Sequence, residues 1–262
     1  MRYFKTEALV LRTRPLGEAD RLLTLLTLEK GKINAVAKGA RKTKSKLAAG
    51  VDLFVYAHYD LFRGKTLPTI IQQDILETFT YLQENPAAYA HACYFNELVE
   101  RLLVEGEQMP EIFELLLEGW KALEVNKDYF ILSRAFEMKL LAAAGYRPYL
   151  DGCVVCSSGE KSFASPRLGG LVCRNCADGD ARFRPFAPGS YALVNYFLAH
   201  DLTKLSVLRA NSSQKRELLD FTIGLIQYYL EIEECKSLKY IKQNFPENYP
   251  QNNKEISREI KN

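Results

Sequence analysis

Along its first 80 residues the chain alternates apolar and polar positions, the period of half-buried strands. Residues 8–14 and 21–28 predict two strands. Residues 33–38 predict a third, reached through a hairpin turn at 29–32 in which Gly31 is free to take positive φ. Residues 51–62 and 67–78 predict a fourth and a fifth, joined at Arg63, Gly64 and Lys65, with Pro68 at an edge or a strand end. Five short strands, with one long basic loop between the third and fourth, suit a small closed barrel of the OB kind; an SH3-like barrel is the competing architecture. Residues 1–80 are therefore expected to form an OB-fold β-barrel domain.

From Pro86 the period changes to that of a helix. Ala92, Phe95, Val99, Leu102 and Leu103 mark one face, with Asn85 and Pro86 as the start signal. Pro110 opens a second helix carrying Phe113, Leu116, Trp120 and Leu123. Asn126 or Asp128 caps a third, with Leu132, Phe136, Leu140 and Ala144 inward and Gly145 as its stop. Such stripes are most simply core. Helices resume over residues 188–200 and 213–231, and the polar stretch 246–262 predicts a disordered tail. The fold class is α+β and multidomain: the barrel, then an α-helical domain over 81–262 interrupted by a cysteine module at 150–180.

That module carries Cys153, Cys156, Cys173 and Cys176, a C-x2-C-x16-C-x2-C arrangement. Two thiolates three positions apart grip one ion from a short turn, and a second such turn completes a tetrahedron, so the spacing predicts a four-cysteine zinc finger rather than two disulfides. Four thiolates leave no open position for water or substrate. The expected zinc, one per chain, is structural and orders a stretch too poor in large apolar residues to fold by burial alone. Cys93 falls inside a helical apolar pattern, and Cys235 lies near a helix end.

Net charge is only +3, but it is segregated. Residues 1–80 hold 14 basic and 8 acidic side chains, residues 81–145 hold 5 and 11, and residues 146–262 hold 16 and 13. A basic N-terminal module beside an acidic middle points to a polyanion bound at one end. Five of the basic residues, Lys38, Arg41, Lys42, Lys44 and Lys46, crowd the loop at 38–46. Spaced cations on a loop beside a barrel suit a nucleic-acid backbone, and Arg12, Arg14 and Arg21 on adjoining strands extend the track. The competing reading is a solvated loop. Tyr56, His58, Tyr59 and Phe62 offer stacking faces for unpaired bases, although alternate members of a strand must fill the barrel.

Catalytic signatures are missing from the sequence. His58, His91 and His200 are scattered, with no His-x-Glu or His-Glu-x-x-His neighbourhood, and there is no phosphate-binding Gly-x-x-x-x-Gly-Lys-Ser/Thr loop. Glu107, Glu111, Glu114 and Glu118 read as a solvated helix face rather than a two-metal nuclease site. A binding protein is expected, not an enzyme. A cytoplasmic location, without membrane association, follows from cysteines in metal spacing, an N-terminus lacking a signal-peptide core, and no run near the ~18 apolar residues needed to span a bilayer.

Several stretches together resemble the RecO family of bacterial recombination and repair proteins. They are residues 8–20, the stretch from Gly31 through Val36-Ala-Lys-Gly-Ala-Arg41, residues 94–98, residues 134–146 leading into the cysteine module, and residues 236–239. The resemblance implies an N-terminal OB-fold, a helical body and an inserted zinc finger. It implies binding to single- and double-stranded DNA, annealing of complementary strands, and a complex with RecR that helps RecA load onto DNA coated by single-stranded DNA-binding protein. It further implies that the acidic C-terminal tail of that binding protein docks on the helical body, with Arg134 as a cation and Phe136 or Leu140 as apolar contacts; the alternatives are a local pair of Arg134 with Glu137 or Asp128, and core positions for the two apolar residues. A second cationic surface for the other strand is sought in Arg167, Arg174, Arg182 and Arg184. The rival readings are a zinc-stabilised protein-interaction adaptor with an incidental basic loop, and a nucleic-acid-processing enzyme.

Overall fold

A computed structural model describes residues 2–178 and 183–250. The chain divides into two compact units, residues 1–126 and 127–262.

The first unit opens with β1 (Tyr3–Leu16), β2 (Asp20–Thr27), β3 (Gly31–Ala37), β4 (Val55–Phe62) and β5 (Thr69–Thr78), which form a closed barrel in the order β1-β2-β3-β5-β4. Neighbours are antiparallel except β3 and β5, which run parallel and meet at Val36 and Thr69. Period-two alternation sends Ala8, Val10, Leu23, Leu25, Ala35, Ala37, Ala57, Tyr59, Leu61 and Ile70 inside. Small alanines together with leucines and one tyrosine fill this narrow interior. The hairpin glycine, Gly31, takes φ +62, and a Cβ there would meet the Glu107 backbone.

Three helices complete this unit: α1 (Thr80–Glu84), α2 (Pro86–Leu102) and α3 (Pro110–Val125). Asn85 caps α2, its side chain accepting from the Ala88 amide at 3.0 Å. A bulge between Val10 and Arg12 turns Leu11 out of the alternation, and the Leu11 carbonyl accepts from Asn96 of α2 at 2.9 Å. Trp120 packs edge-on against Phe54 and Phe79, with centroids at 5.6 and 5.4 Å. The hydrophobic period changes at Pro86, but the compact unit runs on to Asn126, so α1–α3 group with the barrel.

The second unit begins with α4 (Tyr129–Ala143), capped by Asp128. Every residue of α4 from Tyr129 to Met138 is buried. Then come β6 (Tyr149–Cys153), β7 (Phe163–Ser165), β8 (Gly170–Val172), α5 (Arg174–Ala177) and β9 (Arg184–Pro185). The strands form a sheet in the order β6-β8-β7-β9, which the sequence pattern does not predict because each strand is too short to establish a period. Three further helices follow: α6 (Pro188–Ala199), α7 (Ser212–Tyr229) and α8 (Lys236–Asn244). A capping box joining Asn211 and Gln214 starts α7.

The expectation of disorder from residue 246 fails for 246–250. A 3-10 turn, Pro246–Asn248, follows α8, and Tyr249 is buried with its ring edge-on to Phe130 at 5.2 Å. One aromatic side chain with a pocket to enter outweighs a polar local composition. The rest of the expected tail, 251–262, lies outside the described residues. Among the described residues no helix is long and apolar enough to cross a membrane.

Candidate nucleic-acid interface and metal centre

Hydrogen bonds tie the segment 38–46 to the β1–β2 turn and to itself. Asp20 accepts from the Gly39 amide at 2.7 Å, and the Ala19 carbonyl accepts from the Arg41 amide at 2.9 Å. The Arg41 guanidinium donates to the Gly17 carbonyl at 2.9 Å, and the Ser45 amide donates to the Lys42 carbonyl at 2.9 Å. Ala40 is buried in the barrel core and Leu47 packs against it. Apolar anchors near both ends hold the segment against the barrel and turn the cations outward. Lys38, Arg41, Lys42, Lys44 and Lys46 are all exposed, and none forms an ion pair among the described residues.

The flanking arginines differ. Arg14 is exposed and has no ion pair among the described residues. Arg12 meets Glu100 at 3.4 Å, an exposed pair of small energy. Arg21 is committed to Asp52 and also donates to the Val51 carbonyl. A phosphate at Arg12 or Arg21 competes with these carboxylates, whereas one at the loop does not.

The barrel aromatics divide as well. Tyr59 lies inside the barrel, and its hydroxyl donates to the Gly50 carbonyl at 2.5 Å. Tyr56 hydrogen-bonds Glu7 and stacks edge-on with Phe113 at 6.0 Å. Of the four only His58 is exposed; it lies 3.9 Å from Glu7. Phe62 is half-buried beside Tyr3, with centroids 5.1 Å apart. Of the four, only Tyr59 has no surface to offer a ligand.

In the second unit, the four cysteines predicted to act together do come together. Cys153 ends β6, Cys156 sits in the following turn, Cys173 precedes α5 and Cys176 lies on it. The turn is closed by the Cys153 amide donating to the Ser158 carbonyl at 2.7 Å and the Ser157 amide donating to the Cys153 carbonyl at 2.9 Å. All four Sγ atoms lie within 4.8 Å of one another, and those of Cys156 and Cys173 are 3.7 Å apart. Thiolates about 2.3 Å from a tetrahedral ion stand about 3.8 Å from each other, so the cluster fits a metal ion. None of the four is in a disulfide.

Burial pushes the Cys153 thiol up. Hydrogen bonds from the Cys173, Cys156 and Val155 backbone and from the Cys156 side chain outweigh it and bring Cys153 down to about 6. Cys176 is pushed up to about 12, chiefly by its hydrogen bonds with Cys173 and Cys156. Four thiolates this close repel one another and need a cation to hold them. Val172, Ala177 and Phe163 pack around the cluster.

Arg134, Phe136 and Leu140 do not form an exposed docking site. All three are fully buried, and Arg134 pairs with Glu137 three residues on, the local alternative. The guanidinium lies over the rings of Phe130 at 5.2 Å and Tyr249 at 5.9 Å. The reason is that α4 is wrapped on all sides over its first turns and has no open face there to offer. Lys215 stands over Phe130 at 5.2 Å. Lys242 is held below its ordinary value, first by burial and then by Arg134. These two cations and Tyr249 are distant in sequence, and no local signal places them beside α4. Arg167, Arg174 and Arg184 are exposed around the cysteine module, and Arg182 lies outside the described residues.

A basic loop pinned to a five-stranded barrel in the first unit, and a four-thiol centre in a second, largely helical unit, give the chain a modular organisation. The family comparisons agree with this organisation. The model described as Recombination protein O N terminal matches residues 1–79, and that described as Recombination protein O C terminal matches residues 83–239. The DNA repair protein RecO of Alkaliphilus metalliredigens is 37% identical over 245 residues, covering 91% of this chain and 98% of that protein. The protein of the same name from Desulfitobacterium hafniense is 38% identical, covering 91% and 88%, and that of Bacillus pumilus is 34% identical, covering 91% and 93%. The chain belongs to the RecO family.

Proposed function

We propose that the protein is a non-enzymatic, cytoplasmic DNA-binding mediator of recombinational repair, and that its barrel is an OB-fold. It binds single- and double-stranded DNA, brings complementary strands together, and with RecR helps RecA load onto DNA covered by single-stranded DNA-binding protein. The observation that carries the reading is the set of exposed loop cations, Lys38, Arg41, Lys42, Lys44 and Lys46, aimed outward by buried anchors and without carboxylate partners among the described residues.

Annealing needs no bond-breaking group. Two polyanions must be held close while bases pair, and cations that meet the phosphates lower the repulsion between them. Arg14 adds to this surface directly; Arg12 and Arg21 contribute only as Glu100 and Asp52 yield. Backbone contacts of this kind carry no sequence information, so binding is expected to be indifferent to base order.

The metal is proposed to be zinc, held by Cys153, Cys156, Cys173 and Cys176. An all-thiolate tetrahedral set suits that ion, and saturation by four ligands confines it to holding the module together. The acidic tail of single-stranded DNA-binding protein remains a proposed partner of the helical unit, through residues other than the buried Arg134, Phe136 and Leu140. Mixing the protein with complementary labelled strands tests the reading: pairing is expected to accelerate. A rate equal to that of the strands alone, with no retention of single-stranded DNA, would reject it.

A further inference from the structure

Three tyrosine rings gather in the second unit where α7 ends beside the β7–β8 turn, and the backbone of a fourth, Tyr149, is tied to that turn. The rings of Tyr146 and Tyr229 have centroids 5.1 Å apart and planes inclined by 31°, and Tyr228 stands edge-on to Tyr229 at 5.0 Å. The turn presses onto this group. Gly169 takes φ +67, and a Cβ there would stand 2.5 Å from the Tyr229 hydroxyl oxygen. The Gly169 carbonyl accepts from the Tyr149 amide at 2.8 Å, which ties the start of β6 to the same place. Tyr229, the ring at the centre of the group, is thus held close against the backbone of the turn.

Its surface is open. Tyr146 is 41% exposed, Tyr149 46% and Tyr228 49%. Single exposed aromatics are ordinary, but a fixed cluster is not, because it leaves contiguous apolar area in water. Arg147 follows Tyr146 directly, and Arg167 lies in the same turn as Gly169; both are exposed and neither makes an ion pair among the described residues. Aromatic faces with adjoining guanidinium groups are what an unpaired nucleic-acid strand requires: π-surfaces for its bases and cations for its phosphates. A duplex keeps its base faces stacked internally and has no use for the rings.

We infer that Tyr146, Tyr149, Tyr228 and Tyr229 form a stacking platform for the bases of single-stranded nucleic acid, with Arg147 and Arg167 holding the flanking phosphates. The inference rests on the proposed DNA-binding role and deepens it. The basic loop engages a strand by its backbone, and the platform engages one by its bases, which leaves two modes of capture for two strands.

The test uses the full-length protein and two labelled oligonucleotides of equal length and charge, one of thymidines and one of abasic sites. Wild type is expected to favour the thymidine strand. Tyr146→Ala with Tyr228→Ala should weaken that strand by a factor of about five or more, since each lost stack is worth at least that much, and leave the abasic strand unchanged. Tyr146→Phe with Tyr228→Phe keeps the rings and should bind as wild type. Equal binding by the alanine variant and wild type would overturn the platform alone, and would give the face to a protein partner. Failure of wild type to bind either strand would overturn the DNA-binding reading as well. Photocross-linking of wild type to a strand bearing 5-iodouracil guards against misfolding of the variants. Adducts on Tyr146, Tyr149 or Tyr228 are expected, and adducts confined to residues 38–46 would reject the platform.

Discussion

Arg134 and Glu137 form an ion pair on α4 with neither side chain exposed to solvent. Two charges withdrawn from water are tolerated because they face each other and because the guanidinium lies over Phe130 and Tyr249. Glu137→Ala leaves the guanidinium without its carboxylate. It is expected to cost about 3–5 kcal/mol in chemical denaturation, whereas replacing both residues with apolar ones of similar volume should cost much less. A loss below about 1 kcal/mol for Glu137→Ala would show that the pair is not buried in solution.

Trp120 is the sole tryptophan, and it is fully buried, so its fluorescence reports on the first unit alone. Its indole N–H donates to Asn96 at 3.0 Å, and Asn96 in turn donates to the Leu11 carbonyl at 2.9 Å. Asn96→Ala strands a buried donor and a buried acceptor together. Destabilisation of roughly 2–4 kcal/mol follows from desolvation of both groups, read as an earlier tryptophan unfolding transition; an unshifted midpoint would contradict the network.

The thiol cluster should bind one zinc and lose it in acid. Metal-bound cysteines are thiolates, so each ligand must shed its proton; as pH falls, protons compete and the ion departs. Removing one of the four thiolates weakens the hold on the ion. Cys176→Ser should therefore release zinc at a higher pH than wild type, measured with a chromogenic chelator. Unchanged release would remove Cys176 from the ligand set.

How much of this was legible in the sequence depends on the range of the interactions involved. The cysteine pairs were legible because each ligand pair is set by a three-residue step within one turn. The apolar stripes of α2 and α3 were legible for a similar reason: Phe95, Val99, Leu116 and Trp120 repeat at helical spacing and all are buried. The barrel core followed from alternation, except at the bulge that displaces Leu11. Arg134 was not legible. Its burial depends on Tyr249, more than a hundred residues further along, and helical periodicity says nothing about what covers a face. The anchoring of the basic loop by Asp20 and Ala19 was hidden likewise, since it joins a turn to a loop across the barrel end.

The central claim is that the loop cations meet phosphates, and the salt dependence of single-stranded DNA binding tests it most directly. Each phosphate contact releases condensed counterions and adds about 0.7 to the log–log slope on a single strand. Lys42, Lys44 and Lys46, changed together to alanine, should flatten the slope by up to roughly two units while leaving the metal content and the Trp120 signal unchanged. A slope identical to that of the wild type would mean that the loop only faces solvent and that DNA, if bound, is held elsewhere.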